Sequence, residues 1–397
     1  MNIWLFDLDG VLIHPGGYRA ALKKTTEYFS RLFGLATEPL SDSDIDIFES
    51  FGITSEWDSS AICAAAQLFR IWQAESGLPP APDADDTTDF PRTSGFSALP
   101  VYYGTVARQV GIRTSEGGYP SDAALDFFLE AARRERPAHP SLASLEGWLR
   151  IFLEHTRDFS RSPTIRVFQA YALGDVDYRA TYRTEPPVIS ASLLQELDQP
   201  NISPDGLRII RQAMTADVLK AAVFTSRPSH PLTLPGARED NSPEAEISLR
   251  SLNLDLPLTG YGQMLWLSDM RKKRTDAYIK PSPAHAIAAM CRAAGVAEKT
   301  ALEAAGNAVE DNILSPAMAF LHTGDVQVHL FEDTPTGVRS LQQAARLLGK
   351  LGIAIEVNLI GITDSEEKRK ALQGLGAEVF DTMDHAVAFA SGRLTRD

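Results

Sequence analysis

The chain is poor in cysteine and has no long uninterrupted apolar run. Its 397 residues include two cysteines, Cys63 and Cys291, both inside apolar helical patterns. Neither a disulfide framework nor a zinc site follows from two such cysteines, so we expect buried free thiols and a reducing compartment. No stretch approaches the roughly 18 apolar residues of a membrane helix, and Asp7 interrupts the apolar start that a signal peptide needs. The sequence therefore predicts a soluble cytoplasmic protein.

Positive charge is also scarce. The chain carries 38 lysines and arginines against 52 acidic residues, a formal net charge of −14. This balance argues against nucleic acid or an anionic membrane as the main partner. A small anionic substrate would have to be attracted by a local positive site. The length and the 44 % apolar content permit a core domain and a second domain, but they do not indicate an oligomeric state.

Two aspartates follow the first apolar run of the chain. Ile3 to Phe6 reads as a short buried strand, and Asp7, Asp9 and Gly10 come directly after it. Carboxylates at the carboxyl end of a strand lie at the edge of the sheet where open α/β folds bind ligands. The alternative is a turn without function, because Asp and Gly are ordinary turn formers.

The next 190 or so residues have a different pattern. From about residue 13 to 205 the apolar spacing is helical, so we expect a helical domain inserted into a core formed by residues 1–12 and 206–397. Gly16 and Gly17 suit either a hinge or a plain loop before a helix. The proline-rich, acidic stretch from Leu78 to Pro100 predicts a solvated loop rather than a metal site.

A basic stretch of the inserted domain has two interpretations. Its five cationic residues would contact a phosphate or sugar acid, or would pair with nearby acids on the helix surface, which is the stronger expectation. The residues are Arg150, His155, Arg157, Arg161 and Arg166.

Strands and helices alternate in the remainder of the chain, which predicts a doubly wound parallel sheet. We expect strands at Val218 to Phe224, Met264 to Leu267, Val326 to Phe331, Ile353 to Ile362 and Glu378 to Phe380. Residues 231–257 read as an irregular insertion. The basic run from 271 to 274 reads as a solvated loop, with attraction of phosphorylated substrates as the alternative.

Polar residues recur at the ends of these strands. Thr225 and Ser226 follow the second strand, and a hydroxyl with adjacent backbone amides suits a phosphate oxygen. Arg227 either adds a charged contact to such a phosphate or is a surface residue. Lys280 precedes a proline and a helix, and Glu332 with Asp333 ends the fourth strand.

Taken in order, these segments resemble four motifs of the haloacid-dehalogenase-like (HAD) superfamily of phosphatases and phosphomutases. The segments are Asp7-Leu8-Asp9-Gly10-Val11, Thr225-Ser226, Lys280-Pro281-Ser282-Pro283 and Glu332-Asp333. The resemblance covers residues 1–12 and 206–397 and does not extend to the inserted part. It implies a Rossmann-like HAD core and a helical cap domain, although caps of this type are usually smaller. Such a cap would exclude water and select the substrate.

The charges of such a site require a cation. Several carboxylates cannot share a pocket with a phosphate group unaided, because each like-charge pair at 4 Å costs about 4 kcal/mol at an effective dielectric near 20. Mg²⁺ favours carboxylate and phosphate oxygens, and the resemblance implies the same ion. We expect Asp7, Asp9, Glu332 and Asp333 to hold it, with Asp9 binding through its backbone carbonyl.

The resemblance also implies a reaction on a small phosphorylated metabolite. Asp7 would be the nucleophile and Asp9 the acid and base. Lys280, Thr225 and Ser226 would stabilise the transferring group, with Arg227 as a further phosphate ligand. The sequence leaves open a phosphomutase and a binding protein without activity. Dehalogenation is disfavoured, because relatives that cleave carbon–halogen bonds generally lack an acid at the place of Asp9.

Overall fold

The computed structural model describes residues 1–36, 38–75, 78–82, 90–92, 99–114, 119–230, 241–323 and 326–394. It divides into two compact units, one formed by Met1–Pro15 with Leu197–Asp397 and the other by Gly16–Glu196. Within the described ranges, no helix combines the length and the apolar character needed to cross a bilayer.

The first unit contains a six-stranded parallel sheet in the order β5-β4-β1-β6-β7-β8 and a small antiparallel pair, β2 with β3. The strands are β1 (Asn2–Phe6), β2 (Ile13–His14), β3 (Gln199–Pro200), β4 (Lys220–Phe224), β5 (Leu258–Thr259), β6 (Gln327–Glu332), β7 (Glu356–Ile362) and β8 (Glu378–Phe380). The fold is therefore of the α/β class with a parallel sheet, as predicted.

Helices cover both faces of this sheet. They are α9 (Pro204–Thr215), α10 (Glu244–Ser251), α11 (Tyr261–Arg271), α12 (Pro283–Ala293), α13 (Glu298–Glu310), α14 (Pro335–Lys350), α15 (Glu366–Gln373) and α16 (Met383–Ser391), with 3-10 turns at Thr275–Ala277 and Pro316–Thr323. Side chains of β1 alternate between two apolar cores, because Ile3 and Leu5 pack with α11 to α14, whereas Trp4 and Phe6 pack with α9, α10 and α16. A strand buried on both faces explains the uninterrupted apolar run at the start of the chain.

Two sequence predictions in this unit are wrong. Met264 to Leu267 is not a strand but lies inside α11, and the strand of this region is the two-residue β5. Four apolar residues do not distinguish a strand from a buried helix segment, and Gly260 with Gln263 begins the helix just before them. The region 231–257 is not wholly irregular, since it contains α10, although residues 231–240 lie outside the described part.

The second unit is helical over its described residues. It contains α1 (Gly16–Leu32), α2 (Asp42–Ser50), α3 (Glu56–Ala74), α4 (Tyr103–Thr114), α5 (Pro120–Glu135), α6 (Leu142–Leu153) and α7 (Pro163–Tyr182), with α8 (Leu193–Leu197) at its end. Its core includes the fully buried rings of Trp72, Trp148 and Phe152. Gly16 and Gly17 form the first turn of α1, so they are not a separate loop. Most of the predicted loop from Leu78 to Pro100 lies outside the described residues.

The cysteines and two arginines of the basic stretch behave as expected. Cys63 and Cys291 are buried free thiols. Arg150 pairs with Glu146 at 2.7 Å and also with Glu154, and Arg157 pairs with the buried Asp58. These arginines therefore serve ion pairs within their own unit.

The chain leaves and re-enters the first unit at one place. Ile13 pairs with Pro200 and His14 with Gln199, and the amide of Asn201 donates to the carbonyl of Leu12 at 2.8 Å. Pairing the two crossing segments holds the ends of the insertion together beside the segment that carries Asp7 and Asp9.

Candidate active site

Three neighbouring strands deliver the predicted residues to one edge of the sheet. β1 is the middle strand, with Phe6 beside Val223 of β4 and Phe331 of β6. Because the strands are parallel, the residues that follow them meet at the same edge. Asp7 follows β1 and Thr225 follows β4. Glu332 is the last residue of β6, and Asp333 follows it.

A buried lysine joins two of these carboxylates. The Nζ of Lys280 lies 2.9 Å from Asp7 Oδ2 and 2.8 Å from Glu332 Oε2. The Lys280 side chain is 3 % exposed and the Glu332 side chain 0 %. The amide of Leu8 donates to Asp7 Oδ1 at 2.8 Å, which fixes the Asp7 carboxylate on its other side. Burial makes these charge-assisted contacts stronger than surface ion pairs.

Lys280 does not end a strand but lies in the turn before α12. Its backbone amide donates to Nδ1 of His285 at 3.2 Å, and His285 Nε2 donates to the carbonyl of Thr259 at 3.0 Å. Burial, with the charge of Lys280, lowers the pKa of His285 to about 3. The ring is therefore neutral and can accept the Lys280 amide. The ammonium of Lys280 also lies 4.3 Å from the centre of the Phe224 ring, a cation–π contact.

Glu332 and Asp333 are held in different ways. Glu332 Oε1 accepts from the amide and the hydroxyl of Thr334, at 3.2 and 2.8 Å, so both of its oxygens have protein donors. Asp333 Oδ2 instead meets the half-exposed Lys368 at 2.6 Å. Gly10, with φ +71°, lets Asp333 approach, since a Cβ atom here would lie 2.5 Å from Asp333 Oδ2.

Three of the carboxylates lie close enough together to share one cation. Oxygens of Asp7, Glu332 and Asp333 all lie within 4.8 Å of one another. Adding Asp9 and its neighbour Asp198 gives five carboxylates, which face three cations in the described residues, Lys280, Arg227 and Lys368. The negative charges of this set therefore outnumber its positive charges by two when every group is ionised. All-oxygen carboxylate donors are those that hard divalent cations bind, so the donor set fits such an ion.

The pKa shifts follow from the same crowding. Burial raises and Lys280 lowers the pKa of Asp7, and with hydrogen bonds from Glu332, Lys280 and Leu8 the net result is a pKa below its ordinary value. Burial and the Asp7 charge raise the pKa of Glu332 well above its usual range. Burial raises the pKa of Asp333 to about 6 despite the charge of Lys368. Asp7 is thus ionised at neutral pH, as a nucleophile requires.

Asp9 lies in a second contact group beside the first. Both of its oxygens accept from Arg227, whose Nε lies 3.2 Å from Asp9 Oδ2 and whose Nη2 donates to Oδ1. The guanidinium is fully buried and also donates to Asp198 and Ser248. Burial raises the pKa of Asp9 although Arg227 lowers it.

The structure places the three residues that were predicted to bind phosphate, Thr225, Ser226 and Arg227, in different environments. Arg227 is not a surface residue, and its buried guanidinium is directed at protein carboxylates, so direct phosphate contact is replaced by contact with Asp9. Thr225 is buried, and its Oγ1 accepts from the amide of Arg227 at 3.2 Å. Ser226 is exposed at the end of β4. Among the described residues, no hydrogen bond links Thr225 or Ser226 directly to Asp7.

Sequence reasoning missed four residues of the site. Lys368, Asp198 and Ser248 each bind a predicted residue from another segment, and His285 accepts from the amide of Lys280, five positions before it. Lys368 had a partial signal, because it follows a predicted strand at the start of a polar helix. Asp198 and Ser248 become visible only once the order of the strands is known, and the role of His285 depends on its additional bond to the carbonyl of Thr259.

Comparison with known proteins adds information on the fold alone. No protein-family model matches the chain, and no curated protein matches it. An X-ray structure solved as a target of the Northeast Structural Genomics Consortium is similar, with a TM-score of 0.60 and 15 % identity over 99 % of both chains. This likeness supports the α/β architecture and leaves the chemistry to be argued from the residues.

Proposed function

We propose that the protein is a Mg²⁺-dependent phosphatase of the HAD type, which hydrolyses a small phosphorylated metabolite through an aspartyl-phosphate. One observation carries the proposal. Lys280 comes more than 270 positions after Asp7 in the sequence, yet it lies within 3 Å of oxygens of both Asp7 and Glu332. The adjacent Asp333 completes a three-carboxylate group with these two acids. A buried cluster of this charge is costly for stability, and catalysis gives a physical reason for it.

Asp7 and Asp333 are the best candidates for Mg²⁺ ligands, together with the backbone carbonyl of Asp9. Glu332 contributes mainly by holding Lys280, because both of its oxygens already accept hydrogen bonds. When bound, the ion would supply positive charge to the phosphoryl oxygens and orient them.

In the first step, an Asp7 carboxylate oxygen attacks phosphorus in line. A bond forms between this oxygen and phosphorus while the bond from phosphorus to the ester oxygen breaks, and Asp9 gives its proton to the leaving oxygen. Lys280 stabilises the negative charge that develops on the transferring group. Thr225 and the amide of Ser226 would bind other phosphoryl oxygens at the adjacent strand end.

In the second step, water attacks the phosphorus of the aspartyl-phosphate. Asp9, now ionised, takes a proton from this water, the bond between Asp7 and phosphorus breaks, and inorganic phosphate leaves. The proton that Asp9 gave in the first step is thus restored, and the Asp7 carboxylate is regenerated.

Phosphate release from a panel of phosphorylated metabolites and aryl phosphates tests this proposal. Wild-type protein with Mg²⁺ should release phosphate from at least one compound, and Asp7→Asn, which keeps the shape but loses the nucleophile, should not. Rearranged phosphate esters without release would indicate a phosphomutase. Turnover by Asp7→Asn, or none by the wild type, would contradict the proposed function.

A further inference from the structure

The contacts of Arg227 differ on the two sides of its guanidinium. Nε and Nη2 donate to the two oxygens of Asp9. Nη1 donates to Asp198 Oδ2 at 2.8 Å and to the hydroxyl of Ser248. The partners come from three separate segments: the turn after β1, the residue before β3, and α10. Five donors in one rigid plane can hold such an arrangement, which a lysine cannot reproduce.

The burial of Arg227 distinguishes it from an arginine that binds a substrate directly. The Arg227 side chain is 0 % exposed and the Asp198 side chain 1 %, whereas the Asp9 side chain is 33 % exposed. Of the three side chains, that of Asp9 is therefore the one that is accessible to solvent. Arg227 and Asp198 lie behind it.

The location of Asp9 explains why its side chain needs to be held in place. Asp9 stands in a turn, where a short side chain has several rotamers available. A general acid must lie within about 3 Å of the oxygen that it protonates. A two-point contact with a buried arginine removes most of that freedom before the substrate arrives.

We infer that Arg227 is a positioning residue that fixes the Asp9 carboxylate for proton transfer to the leaving oxygen, with Asp198 and Ser248 anchoring the guanidinium. This inference rests on the proposed phosphatase function. It assigns to Arg227 a role in leaving-group departure, in place of the phosphate contact expected from the sequence.

Leaving-group dependence separates this role from a structural one. An alkyl phosphate needs proton donation to its leaving oxygen, whereas 4-nitrophenyl phosphate leaves readily without it. Arg227→Lys keeps the positive charge and loses the two-point hydrogen bonding to Asp9. We expect kcat/KM for an alkyl phosphate to fall about 10-fold or more, and that for 4-nitrophenyl phosphate to change by less than about 3-fold.

A double-mutant cycle with Asp9→Asn adds a second readout. If Arg227 acts through Asp9, Arg227→Lys should lower activity on the alkyl phosphate no further once Asp9 is replaced. Asp198→Asn and Ser248→Ala should show the same selective loss in smaller degree, and they keep the test valid if Arg227→Lys does not fold. Arg211→Lys is the matched control, because Arg211 donates to the carbonyls of Leu252 and Asn253 away from the site.

Equal losses on both substrates, additive losses in the cycle, or wild-type selectivity in all three variants would overturn the inference and leave the phosphatase proposal intact. Failure of that proposal has a different signature, namely no turnover by the wild type or full turnover by Asp7→Asn, and it would overturn both.

Discussion

Gly337 faces the Glu332 carboxylate so closely that a Cβ atom added to this glycine would lie 1.7 Å from Glu332 Oε2. Gly337 lies in the first turn of α14, and Oε2 is the atom that binds Lys280. The absence of a side chain at this position thus leaves the space in which the lysine is held between two carboxylates.

We therefore expect Gly337→Ala to lower the proposed phosphatase activity by about 10-fold or more, because the methyl group displaces Glu332 and with it Lys280. Gly349→Ala is the control in the same helix. A Cβ there meets nothing within 4 Å, so this change should keep activity and raise the free energy of unfolding by up to about 1 kcal/mol. Wild-type activity in Gly337→Ala would contradict the described placement of Glu332.

Asp333 provides a test of the cation site that does not depend on turnover. Mg²⁺ should raise the unfolding temperature of the wild type, because an ion that binds only the folded chain stabilises it. Asp333→Asn should reduce this shift. Without Mg²⁺ the variant should unfold at the wild-type temperature or above, since it relieves the repulsion between Asp333 and Asp7.

The control for this measurement is Asp381→Asn, which removes an exposed carboxylate paired with Arg369 elsewhere on the same unit. It should keep the full Mg²⁺ shift. An undiminished shift in Asp333→Asn would show that the three-carboxylate group is not the cation site.

His329 should make the protein sensitive to acid. It lies beside Trp4 on β6, fully buried, and neither ring nitrogen has a hydrogen-bond partner in the described residues. Burial lowers its pKa from 6.5 to about 4. As the pH falls, His329 therefore binds a proton near pH 6.5 in the unfolded chain but only near pH 4 in the folded chain. The stability that this group contributes is present above pH 6.5 and is lost as the pH falls towards 4.

Denaturant unfolding at pH 7 and pH 5 measures this effect. His329 alone should cost about 2 kcal/mol over that interval. His329→Leu should lose this part of the pH dependence and should be more stable at both values, because it removes unpaired buried nitrogens. The exposed His14 is the control, and His14→Gln should retain the wild-type pH dependence. An unchanged pH dependence in His329→Leu would contradict a neutral, buried His329.

The sequence was most informative where the signal was local. Asp7, Glu332 and Asp333 each come at the end of an apolar strand, and parallel strands bring such ends together by geometry. Their convergence could therefore be expected without knowledge of the strand order. Met264 to Leu267 shows the limit of the same reasoning, since a short apolar run does not distinguish a buried helix from a strand.

The support around these residues depends on tertiary contacts that local patterns do not carry. His285 is one of many polar residues in helices, and the bond to the carbonyl of Thr259 that orients its ring follows from how α12 packs against β5. Asp198 and Arg227 are 29 positions apart and meet only because the crossing segments pair beside β1. The sequence position of Arg227 gives no indication of its burial, so the sequence alone allows both a phosphate contact and a surface residue.

Rapid acid quenching of the wild-type protein during turnover of an active phosphate ester in the presence of Mg²⁺ tests the central claim most directly. Mass spectrometry of the digested protein should show one added phosphoryl group on the peptide that contains Asp7, and none in Asp7→Asn treated in the same way. Phosphate release by the wild type with no phosphorylated Asp7 peptide, or with the group on another residue, would contradict nucleophilic attack by Asp7.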